Sequence, residues 1–290
     1  MTITMSYMKV GTAAAIIAIH TGLVGAWMSP KQQCRRVAIR RSLYNDENSD
    51  NFLTASDLAR ISDLRDRHKT IPIMILDAML PGQVLEFGSE DPKFKKLIEH
   101  VIQTEDETFG MMGLNPHTGT PLNIGVTLQV QDIKHQNGLW LVSVKGDRRL
   151  EVQGEPWLDD TNSFYIADVE LVDKREEIGL NDAQKKHAER MYKEIPKLVS
   201  QWMECVYESG KTDRAGMARR LKDIGEMPKQ LRDRAFWTAS LLNPLPALDV
   251  CMEIRPAMLA CRNDYDRINL AWAGLHSSID SLLRAKGCFD

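Results

Sequence analysis

Ile71-Pro72-Ile73-Met74-Ile75, followed by Leu80-Pro81-Gly82, is the stretch whose reading decides the fold. Ile71, Ile73 and Ile75 recur at every second position, the period of a β-strand with one face buried. Pro81-Gly82 then marks a turn, since proline presets φ and glycine accepts the conformations a turn demands. Strand signals continue downstream. Gly125 to Ile133 places Val126, Leu128 and Val130 on one face, and Gln136-Asn137-Gly138 breaks the run with the Asn-Gly pair of tight hairpins. Leu139 to Val144 reads as the next strand, Lys145-Gly146-Asp147-Arg148 as another turn, and Leu150 and Val152 as a resumption. Phe164 to Val172 alternates Tyr165, Ala167, Val169 and Leu171 against Ile166, Asp168, Glu170 and Val172. Short strands at regular spacing predict a small barrel. One helix interrupts them: from Pro92 to Thr104, Phe94, Leu97, Ile98, Val101 and Ile102 fall at helical spacing.

After the last strand the period changes. Ala188, Met191, Ile195, Leu198, Val199, Trp202 and Val206 recur at three and four, a broad apolar stripe on one helix. Asn181 or Asp182 is the expected cap, and Pro196 is expected to kink or divide the helix. Shorter helices follow: one around Met217, Leu221 and Ile224 closed by Gly225, one over Phe236 to Leu242 ended by Asn243-Pro244, and one over Asp249 to Leu259. The last runs from Tyr265 to Leu283, with Ile268, Leu275, Ile279 and Leu282 inward. Ahead of the strands, residues 46–69 are polar, with Leu58, Ile61 and Leu64 suggesting a short lead-in helix capped by Thr54 or Ser56.

Asp91-Pro92-Lys93-Phe94, Phe109-Gly110, Ile124-Gly125-Val126-Thr127 and Gly146-Asp147-Arg148-Arg149-Leu150 complete a series that begins with Ile71-Pro72-Ile73 and Leu80-Pro81-Gly82. In order and spacing this series resembles the substrate-binding N-terminal domain of Lon proteases. Trp237 to Leu245 and Asp266-Arg267-Ile268 resemble that family's helical half more faintly. The resemblance implies an α+β fold: a small PUA-like β pseudo-barrel over residues 70–174, followed by an α-helical bundle over residues 175–290. It also implies a domain that holds polypeptide chains and catalyses nothing. The segment Leu85-Glu86-Phe87-Gly88-Ser89-Glu90 departs from the family pattern, and Gly146 to Leu150 carries Leu where an aromatic residue is usual. A receptor for unfolded chains needs accessible apolar surface. The residues singled out for such a surface are Pro81, Gly82, Phe87, Phe109 and Gly110. Trp140 and Tyr165 are further aromatic contributors, with core packing the competing role for each aromatic.

The front of the chain reads as targeting sequence. Met1 to Lys9 holds one positive charge and no acid, Val10 to Val24 is apolar, and Val24-Gly25-Ala26 supplies small residues for signal cleavage. That run is shorter than the roughly 20 apolar residues of a membrane span, with a signal anchor as the alternative. Trp27-Met28-Ser29-Pro30 and the acid-free segment carrying Arg35, Arg36, Arg40 and Arg41 follow. Residues 1–26 as signal peptide and 27–45 as transit peptide resemble the two-part plastid presequence of diatoms and related algae. A secreted protein with a basic N-terminus is the alternative. Residues 1–45 hold six of the 37 Lys and Arg and none of the 40 Asp and Glu. The mature chain is therefore expected to carry 31 basic against 40 acidic residues, an unfavourable balance for nucleic-acid phosphates.

Chemistry-bearing motifs are sparse. Ser209-Gly210-Lys211-Thr212 mimics the end of a phosphate-binding loop, but Cys205 stands where its first glycine belongs, and a helix-ending glycine explains the stretch. The seven histidines show no HExxH or zinc-ligand spacing, and Asp159-Asp160 and Glu176-Glu177 read as solvated acidic pairs. Cys34, Cys205, Cys251, Cys261 and Cys288 include no CxxC, so buried, inert thiols in a reducing compartment are expected, with Cys251–Cys261 as an unsupported redox pair. No nucleophile motif is present. These readings predict a protein without catalytic activity, cofactor or metal. Its expected partners are polypeptide clients, as an adaptor in plastid protein quality control. A structural subunit of a plastid complex and RNA binding through the PUA-like barrel are the alternatives. Oligomeric state is left open.

Overall fold

The computed structural model describes residues 15–16, 54–104, 107–115, 118–136, 138–172, 180–243 and 254–285. The expected signal and transit peptides lie outside them, apart from Ala15–Ile16 (β1), which pairs in parallel with Phe87-Gly88. His117, Glu176-Glu177, Cys34, Cys251, Cys288 and the segment 244–253 also lie outside. The chain divides into two compact units, residues 18–66 and the remainder. In the first, the described part is helix α1 (Ala55–Arg67), which begins where its N-terminal amides find a cap. The Thr54 hydroxyl accepts from the Asp57 amide, and the Asp57 carboxylate accepts from the Thr54 amide, a reciprocal capping pair.

The larger unit starts with β2 (His68–Ile75), β3 (Val84–Ser89), helix α2 (Pro92–Ile102) and β4 (Thr108–Leu114). It continues with β5 (Pro121–Gln136), β6 (Leu139–Leu158) and β7 (Tyr165–Leu171). The sheet runs β1-β3-β6-β5-β4-β2-β7, and a further β6–β7 pairing closes β6, β5, β4, β2 and β7 into a ring. This ring is the expected pseudo-barrel. Length makes the closure possible: the 20-residue β6 pairs with β3 through Trp140–Lys145 and with β7 through Leu150–Leu158, while β5 lies along its other edge. All pairings within the ring are antiparallel except β2–β4, whose parallel register needs the crossover through β3 and α2.

Strand alternation divides the side chains into two cores. Ile71, Ile73, Met112, Leu150, Ala167, Val169 and Leu171 pack inside the ring. Gly110 sits in that layer, where a Cβ would approach Leu150 and Ile73 at 3.0 and 3.1 Å. The opposite faces contribute Met74, Phe109, Met111, Val126, Leu128, Val142 and Val144 to a second core shared with α2 and the later helices. α2 starts at Pro92 because proline lacks only an amide the first turn leaves unpaired, and the Asp91 carboxylate caps Lys93 N.

The predicted turn at Lys145–Arg148 does not form; these residues lie inside β6. Gly146 is there for close approach. The β2–β3 turn rests on it, with Gly82 N donating to Gly146 O at 2.8 Å and Gly146 N to Gln83 O at 2.8 Å. A side chain at Gly146 would collide with the Leu80 carbonyl oxygen. The neighbouring irregularity is a bulge in the β5–β6 register, filled by the Thr127 hydroxyl, which bonds the backbone N and O of Arg148.

The helices are α3 (Asp182–Glu208), α4 (Arg214–Ile224), α5 (Leu231–Leu242), α6 (Ile254–Ala260) and α7 (Asp264–Ala285). Asn181 and Gln184 cap α3 in a reciprocal box. Pro196 does not divide α3, which stays one 27-residue element while Met191, Ile195, Leu198, Val199 and Trp202 bury against the core. That burial outweighs the hydrogen bond proline removes. Trp202 Nε1 donates to Ser278 Oγ of α7 at 2.8 Å, satisfying the one polar atom of a fully buried indole.

The helices meet the ring through buried guanidinium groups. Arg149, on the outer face of β6, donates through Nη1 to Leu259 O at 2.9 Å and Cys261 O at 2.7 Å. Arg255 of α6 reaches back to the β2–β3 connection, bonding Ala78 O at 2.7 Å and the Asp77 carboxylate at 2.9 Å. Arg267 of α7 also donates to Cys261 O, at 3.0 Å, and pairs with Asp264. The end of α6 is thus held by two cations, Arg149 and Arg267, that read its backbone carbonyls, while Arg255 ties its first turn to the β2–β3 connection.

Candidate functional site

The β2–β3 turn and β6 form one wall of a cleft, and α4, α5 and their connection form the other. Its volume is about 350 Å³. Pro81, Gly82 and Gln83 enter from the turn, Lys145, Gly146 and Asp147 from β6, and Ile224, Pro228, Asp233, Trp237 and Ser240 from the helical side. The turn is stiff. Gly82 takes φ +83°, and the buried Gln83 side chain accepts the Leu80 amide at 2.8 Å, in addition to the two backbone bonds to Gly146.

The helical wall is fixed as firmly. Trp237 Nε1 donates to Gly225 O at 2.9 Å, which orients the indole, and Ser240 Oγ donates to Phe236 O at 2.9 Å. Arg234 braces the connection through bonds to Pro228 O and Tyr192 O, with its guanidinium 3.7 Å from the Tyr192 ring centre. The cleft thus combines an apolar surface from Pro81, Ile224, Pro228 and Trp237 with exposed charges at Lys145, Asp147 and Asp233. Asp147 contacts its neighbour Arg148 at 3.2 Å, whereas no ion pair among the described residues engages Lys145 or Asp233.

The sequence-selected residues separate. Pro81 and Gly82 line the cleft. Phe87, 2% exposed, packs on Phe94 with ring centres 5.5 Å apart, and Phe109 is 0% exposed in the same core. Gly110 is buried within the ring. Trp140 is half-buried against His135 and Tyr165 half-buried at the end of the ring's core. The helical contributors Ile224, Pro228, Asp233 and Trp237 carried no sequence signal as a group, because they join the turn only through tertiary packing.

Gly210, in the phosphate-loop mimic, has φ +69° and follows the cap of α3, as a helix-ending glycine does. Burial would raise the Asp159 pKa. Hydrogen bonds from Thr161, Phe164 and Ser163 outweigh it and hold the carboxylate well below its ordinary range. Asp159 thereby organises the β6–β7 loop. Burial, assisted by Asp266, pushes the Cys261 thiol up to about 11 against the opposing effect of Arg149, so thiolate is scarce at neutral pH. Among the described residues no group of three or more His, Cys, Asp or Glu side chains is placed to hold a metal. No helix there is long and apolar enough to cross a membrane.

Residues 70–244 match the family model of the ATP-dependent protease La (LON) substrate-binding domain. The chain belongs to that family. The N-terminal domain of Mycobacterium avium complex Lon protease shares the fold, with a TM-score of 0.50 at 14% identity over 72% of this chain and 98% of that one. A Lon N-terminal domain protein from Xanthomonas campestris matches with a TM-score of 0.46 at 17% identity, over 71% and 98% of the two chains. No curated protein matches the sequence. The Lon substrate-binding region therefore includes the ring, α3, α4 and α5, and with them every residue of the cleft. α6 and α7, including Asp266-Arg267-Ile268, lie beyond it.

Proposed function

We propose that this protein captures polypeptide segments in the cleft between the β2–β3 turn and α4–α5. One observation carries the reading: the matched family is named for substrate binding in a protease, and the matched residues contain a cleft with rigid walls and a mixed apolar and charged lining. A protease's substrates are polypeptides. An extended segment presents apolar side chains alongside free backbone donors and acceptors, and a concave apolar surface with a few polar groups suits both. The described site offers binding groups rather than a nucleophile with a base within reach. The test is equilibrium binding of a permanently unfolded model polypeptide, reduced and carboxymethylated, to the intact protein. Saturable binding is expected, and its absence across a broad concentration range would overturn the reading.

We propose further that residues 1–45 direct the chain to a plastid, where client capture would serve as an adaptor step in protein quality control. The support is the sequence order of apolar run, Ala26-Trp27 junction and Arg-rich, acid-free segment. A fluorescent reporter fused after residue 45 should enter plastids, and Trp27→Ala should retain it in an outer compartment. Diffuse cytosolic signal from the intact fusion would contradict the assignment.

A further inference from the structure

Resting on the reading of the cleft as a polypeptide site, we infer that its preferred occupant is an extended segment carrying a basic side chain beside an apolar one. The charged lining decides the sign. Asp147 and Asp233 stand in the same cleft as one cation, Lys145. Asp233 is exposed, in the first turn of α5, and engages no ion pair among the described residues. Asp147 is partly compensated by Arg148. Lys145 opposes Val84 across the β3–β6 ladder, and Val84 is 40% exposed, so an apolar surface continues from the cleft beside the lysine.

The apolar part of the lining supplies the second half of the preference. The Trp237 indole is held by its bond to Gly225 O, and Pro81, Ile224 and Pro228 lie in the same cleft. Such surfaces accept the aliphatic stem of a lysine or arginine while its charged end stays near water and carboxylates. An acidic side chain in that position would meet Asp233 and the partly compensated Asp147, with the Lys145 ammonium as the one cation lining the cleft. Partly exposed charges interact weakly, so the expected preference is about two- to fivefold rather than an absolute filter.

The test uses the intact protein and three labelled peptides of about ten residues, alike except for a central Leu-Arg-Leu, Leu-Gln-Leu or Leu-Glu-Leu. Fluorescence anisotropy should rank them Arg, Gln, Glu from tightest to weakest, with the preference shrinking as salt is raised. Asp233→Lys, an exposed change whose fold is checked by its melting curve, should abolish or invert the ranking. Equal affinities would overturn the inference, as would a ranking that Asp233→Lys leaves unaltered. The unfolded model polypeptide serves as the control. If it binds while the three peptides do not differ, only the charge preference fails. If neither it nor any peptide binds, the capture reading fails and the preference falls with it.

Discussion

Arg149 and Leu150 are neighbours on β6, yet they belong to two regions with different physics. Leu150 points into the ring, in an apolar cluster with Ile73, Ala167 and Leu171. Arg149 points outward, equally buried, and bonds the carbonyls of Leu259 and Cys261. The ring interior is held by shape and by water exclusion, which tolerates any apolar side chain of suitable volume. The contact between ring and helices adds directed hydrogen bonds to its shared apolar core, and a buried carbonyl such as Leu259 O loses its guanidinium donor if Arg149 is removed. That difference makes the second region less forgiving, and the wall of the cleft contributed by α5 depends on it through the shared core.

Substitutions on the two faces of β6 sharpen the contrast. Arg149→Ala should have the largest effect, about 4 kcal/mol in urea denaturation, since Leu259 O loses its buried donor at about 1–3 kcal/mol, Cys261 O keeps only its bond from Arg267, and the packed stem is emptied. Arg149→Met should recover little of this, because it restores the stem and no donor. Leu150→Ala should cost about 3 kcal/mol, within the range for emptied core sites. Leu150→Met should cost less than about 1.5 kcal/mol. If methionine rescued both positions equally, the two regions would not differ in kind.

Gly146→Ala ranks next, at about 1–3 kcal/mol, the range for overpacking, because its Cβ must displace the Leu80 carbonyl. This variant should also weaken polypeptide binding, since the β2–β3 turn moves with that carbonyl. A smaller and conditional effect belongs to Asp159. Its folded-state pKa is depressed below the ordinary 3.8, so its contribution is present above about pH 4 and is lost as pH falls through the folded value. Asp159→Asn should therefore lower the melting temperature at pH 7 and lose that deficit in strong acid. A deficit independent of pH would place the effect elsewhere. Least of all, Asp233→Asn should change stability by no more than about 0.5 kcal/mol while changing the peptide ranking.

The ring was largely legible from the chain. Ile71, Ile73, Ala167, Val169 and Leu171 face inward as their alternation requires, and Asp91-Pro92 starts α2 where an Asx cap and proline should. Two strands between His68 and Leu171 escaped. β4, Thr-Phe-Gly-Met-Met-Gly-Leu, is buried on both faces and so shows no period of two, while Gly88 and the exposed Val84 blur β3. Gly146 misled in the opposite direction, because a glycine needed for close approach looks like a glycine needed for a turn. The cleft was half legible: Pro81 and Gly82 carried a signal, whereas Asp233 and Trp237 lie far along the chain and reach the site only through packing. The buried arginines were least legible, since nothing local separates Arg149 from the more exposed Arg148 beside it.

The central claim is that the cleft, and no other surface, holds an unfolded chain. Hydrogen–deuterium exchange of the intact protein, with and without saturating carboxymethylated polypeptide, tests it most directly. The account predicts new protection confined to residues 81–83, 145–147 and 224–240, the two walls of the cleft. Protection centred elsewhere, with these segments exchanging as in the free protein, would contradict it.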